Sequence, residues 1–312
     1  MGLYNGFMDE FGLIAKYFAP LAGAGALGLT DDAAILPIRP GHELIVTTDT
    51  VSEGTDFFPY DPPDTIAQKA LRVNLSDLAA KGAEPAHYLL NLTLPHAVRE
   101  DWLAGFTSGL AQDQKEFGVS LLGGDTGAGL LSVTVTAFGF VPPGQMVKRG
   151  GALVGDAVYV TGTIGDSGGG LALLKGQGRD LDDASRDYLL WRYRVPQPPI
   201  DFAARLRDIA RAALDVSDGL IADLGHIASS SGVRIIVEGE RVPLAAQVKA
   251  LWGADACLRA VTAGDDYQIA FTAPPGLSGP FSQIGRVEAG QGVSLILNGK
   301  QIAVAKPGYK HF

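Results

Sequence analysis

The sequence predicts an α/β (α+β) chain of two domains. Its 312 residues suffice for two ordinary domains, and 46% of them are apolar, which is ample for two cores. Segments with helical spacing alternate with segments rich in β-branched residues. Proline and glycine accumulate at residues 141–156, VPPGQMVKRGGALVGD, before a new strand-like segment. We therefore expect an N-terminal mixed α/β domain at residues 1–145 and a C-terminal α/β domain at residues 146–312.

The hydrophobic pattern predicts the elements of each domain in turn. In the first domain the predicted helices are residues 7–18, 64–82 and 98–117, and the predicted strands are 43–50, 87–95, 119–124 and 130–141. In the second domain the predicted helices are residues 168–175, 182–193, 199–212, 218–231 and 244–252, and the predicted strands are 156–162, 234–238, 267–273 and a hairpin at 293–304. Asn298 and Gly299 suit the tight turn of that hairpin.

The bulk composition excludes several classes of function. A net charge of −9 argues against a nucleic-acid surface, which needs clustered Lys and Arg. The single cysteine, Cys257, excludes an internal disulfide and fits a reducing compartment. No apolar run approaches the roughly 18 residues that span a bilayer, and MGLYNGFMDE lacks a basic start followed by an apolar core. We therefore expect a cytoplasmic protein without nucleic-acid or membrane partners.

Two familiar motifs occur in the wrong context. GAGALG at residues 23–28 has the dinucleotide-binding spacing but follows the helix-like KYFAPLA, which predicts a turn. GDSGG at residues 165–169 resembles a serine-protease loop without a matching histidine, and we expect Ser167 to lie at the start of a helix. A GxxxxGK[ST] motif does not occur, so a P-loop is excluded.

Aspartates recur beside Gly, Ser or Thr at strand ends and helix starts. The stretch AALDVSDGLIADL, residues 212–224, carries three of them without one Lys or Arg. Each alone fits a turn residue or a helix N-cap, and Asp223 fits a solvent-facing helix position. The set comprises Asp31, Asp32, Asp49, Asp77, Asp125, Asp215, Asp218, Asp265 and Asp266.

If several of these side chains converge, positive charge must join them. Two carboxylates about 5 Å apart repel by about 3 kcal/mol at an effective dielectric constant of about 20. Carboxylate and hydroxyl oxygens are ligands that Mg²⁺ prefers, with Mn²⁺ as a substitute. Mg²⁺ held in this way keeps positions open for phosphate oxygens. The pattern therefore predicts Mg²⁺-dependent phosphate chemistry, such as phosphoryl transfer.

The order and spacing of the motifs resemble those of the thiamine-monophosphate kinase family, in the superfamily of aminoimidazole ribonucleotide synthetase and selenophosphate synthetase. The resemblance covers nearly the whole chain. The matching segments are DEFGLIAKYF (9–18), TTDT (47–50), VNLSDLAAKGAEP (73–85), GGDT (123–126), DAVYVTGTIGDSGGGLALL (156–174), DVSDGLIADLGHIA (215–228), GDDYQIAF (264–271) and GYKHF (308–312).

The resemblance implies a kinase that moves the γ-phosphoryl group of ATP onto thiamine monophosphate. It implies a homodimer in which the N-terminal sheet joins its partner's, and a C-terminal domain that closes over the nucleotide. The implied ligands of several Mg²⁺ ions are Asp32, Thr47, Thr48, Asp49, Asp77, Asp125, Asp215 and Asp218. The implied ATP-binding residues are Gly124, Asp125, Arg149 and Ser217, and the implied substrate-binding residues are Asp56, Asp265 and Tyr309.

The chain departs from the family pattern at three places. Asp56 stands where the family often has His, Asp265 stands where it has Glu, and GLTDD replaces the usual GIGDD. An ionised Asp56 could approach the thiazolium or the pyrimidine amine of the substrate but could not donate to its phosphate. Arg149 also fits a solvated linker charge, and Tyr309 also fits an aromatic ring packed on its domain.

Two other functions stay open at this point. One is a related ATP-dependent synthetase of the same superfamily, although a selenophosphate synthetase usually needs an N-terminal Cys or selenocysteine and Cys257 lies in the other half. The other is a non-catalytic protein that binds a nucleotide and metal.

Overall fold

The structure is a computed structural model that describes residues 10–178 and 180–309. Asp9, residues 310–312 and the start of the helix predicted at 7–18 lie outside these residues. The chain divides into two compact units. The N-terminal unit runs to Asn74 and resumes at Pro85–Phe140, and the C-terminal unit comprises Leu75–Glu84 and the chain from Val141 onward. The predicted division after residue 145 stays a prediction.

Each unit combines helices with one sheet, which confirms the α/β class. In the described residues the helices are α1 (Glu10–Leu13), α2 (Pro63–Ala80), α3 (Glu100–Phe117), α4 (Asp166–Leu174), α5 (Asp183–Arg194), α6 (Ala203–Ile209), α7 (Leu220–Ser231), α8 (Ala246–Trp252) and α9 (Ala256–Ala260). The strands are β1 (Glu43–Ser52), β2 (Glu84–Leu94), β3 (Ser120–Ala128), β4 (Ser132–Val141), β5 (Ala157–Thr161), β6 (Ala212–Asp215), β7 (Arg234–Glu238), β8 (Ile269–Ala273), β9 (Phe281–Glu288), β10 (Gly292–Leu297) and β11 (Lys300–Ile302).

The N-terminal unit contains a four-stranded sheet in the order β1-β4-β2-β3. Buried and more exposed side chains alternate along its strands because one face of the sheet is buried and the other is not. Leu90 and Leu92 of β2 and Val135 of β4 are buried. On the opposite face of β1, Leu44 and Val46 are 42% and 52% exposed. Among the residues that the structure describes, this face of the sheet therefore exposes apolar side chains.

The C-terminal unit contains a seven-stranded sheet in the order β11-β10-β7-β9-β5-β8-β6. Both faces are buried, so its central strands lack a polar side. Val158 and Val160 of β5 belong to a core cluster that includes Leu224 of α7. Tyr159 belongs to a second cluster on the other face, where it stacks on Phe271 with 5.2 Å between ring centroids.

Two strands of this sheet depart from the sequence prediction. The helix predicted at 199–212 ends at Ile209, and Ala212–Asp215 form β6, which pairs with β8 in antiparallel. Ala and Leu are good helix formers, and a short strand buried on both faces shows no alternation. Strand β9 was not predicted because Gly285 interrupts its pattern. A Cβ at Gly285 would lie 2.0 Å from the Ile236 carbonyl oxygen, so the neighbouring strand requires glycine there.

The two misleading motifs form local helical structure. Residues of GAGALG lie in a short 3-10 segment, Ala24–Leu29, with left-handed φ angles at Leu27 and Gly28. Ser167 lies in the first turn of α4, as predicted. Among the described residues, no helix has both the length and the apolar character that crossing a bilayer requires.

Candidate active site

Asp215 ends strand β6 and lies in the interior of the C-terminal unit. Its Oδ2 accepts a hydrogen bond of 2.7 Å from the Ser76 hydroxyl at the end of α2. Burial raises the pKa of Asp215 well above its usual 3.8, and the neighbouring charge of Asp77 raises it further. The predicted metal ligands Asp77 and Asp215 therefore lie close enough for their charges to interact.

The positive charge missing from residues 212–224 comes partly from another segment. The Lys81 ammonium group follows α2 and donates a 2.7 Å hydrogen bond to the Ala213 carbonyl oxygen. Its charge stabilises ionised Asp215, while burial lowers the pKa of Lys81. Sequence reasoning missed this lysine, although its position four residues after Asp77 at the end of a predicted helix offered a signal.

The turn between β6 and α7 is held by Asp223. Its Oδ2 accepts the backbone N–H groups of Ser217, Asp218 and Gly219 at 3.1, 3.1 and 3.0 Å. The expectation that Asp223 faces water is wrong, because its side chain points back into this turn and is 4% exposed. Burial, with the adjacent charge of Asp218, raises the pKa of Asp223 to about 7.

Asp218 also has oxygen and nitrogen neighbours suited to a cation. Ligand atoms of Asp218, Asp223 and His226 lie within 4.8 Å of one another. Three backbone N–H groups already occupy Oδ2 of Asp223. Asp218 therefore remains the predicted metal ligand of this group.

Two later segments pack on the same turn and bring further predicted residues to it. The Asp265 N–H donates to the Ser217 carbonyl oxygen at 2.7 Å, and the Tyr309 N–H donates to the Asp218 carbonyl oxygen at 2.9 Å. A Cβ at Gly264 would lie 2.5 Å from the Ser217 carbonyl oxygen, so this close approach requires glycine. The fold therefore gathers Ser217, Asp218, Asp265 and Tyr309.

Arg149 is exposed on the C-terminal unit, near Lys81. Its positive charge acts on Lys81, where it helps to lower the pKa of the ammonium group. Burial is the larger cause of that shift. An exposed guanidinium near Lys81 fits a phosphate-binding role, and it equally fits a solvated linker charge.

In the N-terminal unit, the predicted residues lie on the strands and on one loop. Asp49 is on β1 and Asp125 is on β3, and both are exposed. These are the two edge strands, so β4 and β2 separate them by about 14 Å of sheet at about 4.8 Å per strand. Asp32 is exposed in the loop before β1. Within this unit the fold does not bring Asp49 and Asp125 onto neighbouring strands.

Gly124 and Thr48 have local structural reasons for their identity. Gly124 has φ 151°, and a Cβ there would lie 1.7 Å from the Leu90 carbonyl oxygen of β2. The Thr48 hydroxyl lies 3.1 Å from the Val135 carbonyl oxygen and 3.0 Å from the Thr136 hydroxyl. Thr47, the preceding residue of β1, is half-buried and points to the opposite face.

Asp56 closes a turn after β1. Its Oδ2 accepts the Ser52 N–H at 2.8 Å, and its backbone carbonyl oxygen accepts the Lys69 ammonium group at 2.8 Å. The carboxylate therefore has a structural bond in addition to the substrate contact that the resemblance implies.

Comparison with known proteins places the chain in a family. Residues 30–141 match the AIR synthase related protein, N-terminal domain, and residues 154–298 match the AIR synthase related protein, C-terminal domain. The thiamine-monophosphate kinase of Salmonella typhimurium is 40% identical over 319 residues, covering 97% of this chain and 98% of the relative. That of Aquifex aeolicus is 34% identical and covers 98% of each.

Solved structures of thiamine-monophosphate kinases are also similar to this chain. The thiamine-monophosphate kinase of Stenotrophomonas maltophilia superposes with a TM-score of 0.81 at 39% identity, covering 88% of this chain and 91% of that one. AaThiL complexed with AMPPCP and TMP has a TM-score of 0.81 at 32% identity and covers 97% of both chains. The chain therefore belongs to the thiamine-monophosphate kinase family.

Proposed function

We propose that this protein is an ATP-dependent kinase that transfers the γ-phosphoryl group of ATP to thiamine monophosphate, with thiamine diphosphate and ADP as products. The observation that carries the proposal is its similarity over 97% of both chains to AaThiL complexed with AMPPCP and TMP. The protein would work in the cytoplasm, where its single cysteine stays reduced.

The carboxylates of the C-terminal unit fit Mg²⁺. Asp215 is buried beside Asp77, and burial makes its charged form costly unless positive charge compensates it. Lys81 supplies part of that charge. The nearby atoms that could coordinate a metal are carboxylate and hydroxyl oxygens, which Mg²⁺ prefers. Bound Mg²⁺ would neutralise phosphate charge during transfer. The proposed ligands are Asp77, Asp215 and Asp218 in this unit and Asp32, Thr47, Thr48, Asp49 and Asp125 in the N-terminal unit.

The proposed work of the protein residues is positioning. The acceptor is a phosphate oxygen that is already anionic near neutral pH, so the reaction requires no strong general base. Gly124, Asp125, Arg149 and Ser217 would hold ATP, and Asp56, Asp265 and Tyr309 would hold thiamine monophosphate. The transfer would be direct and in line, without a covalent enzyme intermediate.

One assay tests the proposed function. The protein is incubated with ATP, Mg²⁺ and thiamine monophosphate, and thiamine diphosphate is measured by chromatography. We expect one thiamine diphosphate for each ADP. ATP binding without thiamine diphosphate would instead favour the non-catalytic nucleotide-binding protein. A matched reaction with EDTA measures the dependence on a divalent metal.

We also propose that the protein is a homodimer through the open face of its N-terminal sheet. That face carries the exposed side chains of Leu44 and Val46, and water contact with such a surface is unfavourable. We expect Val46→Asp to shift the mass measured by light scattering from two chains to one. Leu153→Asp is the control, because Leu153 is equally exposed, at 52%, on the C-terminal unit. A wild-type mass of one chain would contradict the dimer.

A further inference from the structure

The loop that carries Asp265 has an unusual backbone. We call residues 264–267 the GDDY loop, after their sequence. Asp265 has φ 65° and Tyr267 has φ 49°, so two residues with side chains adopt the left-handed region around Asp266. That region is unfavourable for residues other than glycine, and for Tyr more than for Asp. The surrounding structure must therefore hold this loop in place.

Asp266 provides one anchor for the loop. It is 2% exposed, and its Oδ2 accepts the Gly165 N–H at 2.7 Å while its Oδ1 lies 3.3 Å from the Ser167 nitrogen as acceptor. Both donors are at the start of the nine-residue helix α4, about 100 residues earlier in the chain. Backbone N–H groups at a helix start otherwise lack helical partners and favour a negative charge.

Asp166, beside this anchor, bonds other side chains through its Oδ2. Asp166, the first residue of α4, accepts hydrogen bonds from Tyr188 at 2.7 Å and Arg192 at 3.2 Å. The Arg192 guanidinium therefore forms an ion pair with Asp166, whereas the hydrogen bonds to Asp266 come from backbone N–H groups. Burial raises the pKa of Asp266 to about 8, and the two N–H groups oppose that rise. The buried Asp266 side chain thus connects its loop to the start of α4 through two backbone hydrogen bonds.

The opposite side of the loop faces the β6–α7 turn. The Asp265 N–H bonds the Ser217 carbonyl oxygen at 2.7 Å, and the Tyr267 N–H bonds the Val216 carbonyl oxygen at 2.8 Å. The Tyr267 hydroxyl donates to Asp265 Oδ1 at 3.3 Å. The loop is therefore held between α4 and the turn, and the direction of the Asp265 side chain depends on both attachments.

We infer that Asp266 is a positioning residue for substrate binding, which by fixing the GDDY loop to α4 aims Asp265 at thiamine monophosphate. The inference rests on the proposed function, in which Asp265 contacts that substrate. It assigns Asp266 no contact with substrate or nucleotide. Loss of Asp266 should therefore weaken substrate binding through Asp265 and leave ATP binding intact.

The first test compares Asp266→Ala with the wild type. We expect KM for thiamine monophosphate to rise about tenfold to a hundredfold, the scale of a misplaced binding group, while KM for ATP changes less than about twofold. The control is Asp182→Ala. Asp182 also accepts a backbone N–H at a helix start, from Ser185 on α5 at 2.8 Å, but it is exposed and not bonded to the loop. An unchanged KM for thiamine monophosphate in Asp266→Ala would overturn the inference.

A double-mutant comparison separates positioning from a general structural role. Asn tolerates the left-handed region, so Asp265→Asn removes the charge without a new backbone cost. If Asp266 acts through Asp265, adding Asp266→Ala to Asp265→Asn should raise KM for thiamine monophosphate less than about twofold further. The inference would be overturned if the double variant raised KM for thiamine monophosphate by the product of the two single effects. It would also be overturned if Asp266→Ala raised KM for thiamine monophosphate and KM for ATP equally.

Two further measurements distinguish a failed inference from an unfolded variant or from an inactive wild type. Asp266→Asn retains one acceptor and nearly the same shape, so it replaces Asp266→Ala if the alanine variant unfolds at the assay temperature. Thiamine diphosphate formation by the wild type tests the proposed function separately. If the wild type binds thiamine monophosphate without turnover, its Kd by calorimetry replaces KM in every comparison. If the wild type does not bind it, the inference falls together with the proposed function.

Discussion

Asp215, Asp223 and Asp266 of the C-terminal unit differ in their surroundings from Asp49 and Asp125 of the N-terminal unit. In the C-terminal unit Asp215, Asp223 and Asp266 are buried, and each bonds a hydroxyl or backbone N–H groups. In the N-terminal unit Asp49 and Asp125 are exposed on edge strands. A buried carboxylate contributes to the shape of its turn as well as to chemistry, whereas an exposed one on a strand can be replaced with little effect on folding.

The largest predicted effect is on catalysis and compares Asp125 with Asp215. We expect Asp125→Asn and Asp215→Asn each to lower kcat by about a hundredfold or more, because each removes a charge that would hold Mg²⁺. Both variants should remain folded. Asp125→Asn alters an exposed side chain, and Asp215→Asn keeps an acceptor for the Ser76 hydroxyl. Steady-state kinetics across Mg²⁺ concentrations and thermal unfolding measure the two effects.

Near-normal rates at saturating Mg²⁺ in either variant would contradict the metal assignment for that residue. Asp113→Asn is not a suitable control, because Asp113 is buried in an ion pair with Arg72 at 2.8 Å. Asp64→Asn is better, since Asp64 lies in the first turn of α2, outside the predicted site.

The exposed acids were easier to predict than the supports of the buried ones. TTDT places Asp49 on a strand by its own pattern, and GGDT places Asp125 directly after one. Strand β1 formed where expected, and β3 runs on past its predicted end to Ala128. Ser76, Lys81 and Asp223 act through contacts between distant segments or through a bend in the chain. A local pattern contains no information on such contacts until the fold is known. For the same reason, Asp223 looked like a solvent-facing helix residue.

The fold class followed from the alternation of elements, and most strands were found. The exceptions are instructive. Strand β6 carries Asp215, but its Ala-Ala-Leu sequence is typical of a helix, and burial on both faces removes the alternating pattern. In β9, a glycine required by the neighbouring strand breaks the pattern. In both cases the tertiary environment overrides local preference.

The second prediction compares a buried acid with an exposed one through pH. The folded pKa of Asp266 is about 8 against an ordinary 3.8, so folded chains retain a proton that unfolded chains release between these values. The free energy of unfolding should therefore fall as pH rises through this window and level off above it. Asn has no such proton, so the stability of Asp266→Asn relative to the wild type should improve from pH 5 to pH 8 by more than about 1 kcal/mol.

Urea unfolding at both pH values measures this difference. Asp182→Asn is the exposed control. Hydrogen bonds from Ser185 lower the pKa of Asp182 below its usual value, so its contribution is present above pH 4 and is lost at more acid pH. Its effect should be the same at pH 5 and pH 8. A constant difference for Asp266→Asn would show that Asp266 is ionised in the folded protein.

The smallest predicted effect concerns Asp56, whose structural and substrate roles can be separated. We expect Asp56→Ala to raise KM for thiamine monophosphate about threefold to tenfold and to leave KM for ATP unchanged. It should also lower the free energy of unfolding by about 1 kcal/mol, because the Ser52 N–H loses its acceptor. Asp61→Ala is the matched control, since Asp61 accepts the Phe58 N–H at the same distance of 2.8 Å. Equal kinetic effects in both variants would mean that Asp56 acts by shaping its turn, and unchanged kinetics in Asp56→Ala would remove it from the substrate site.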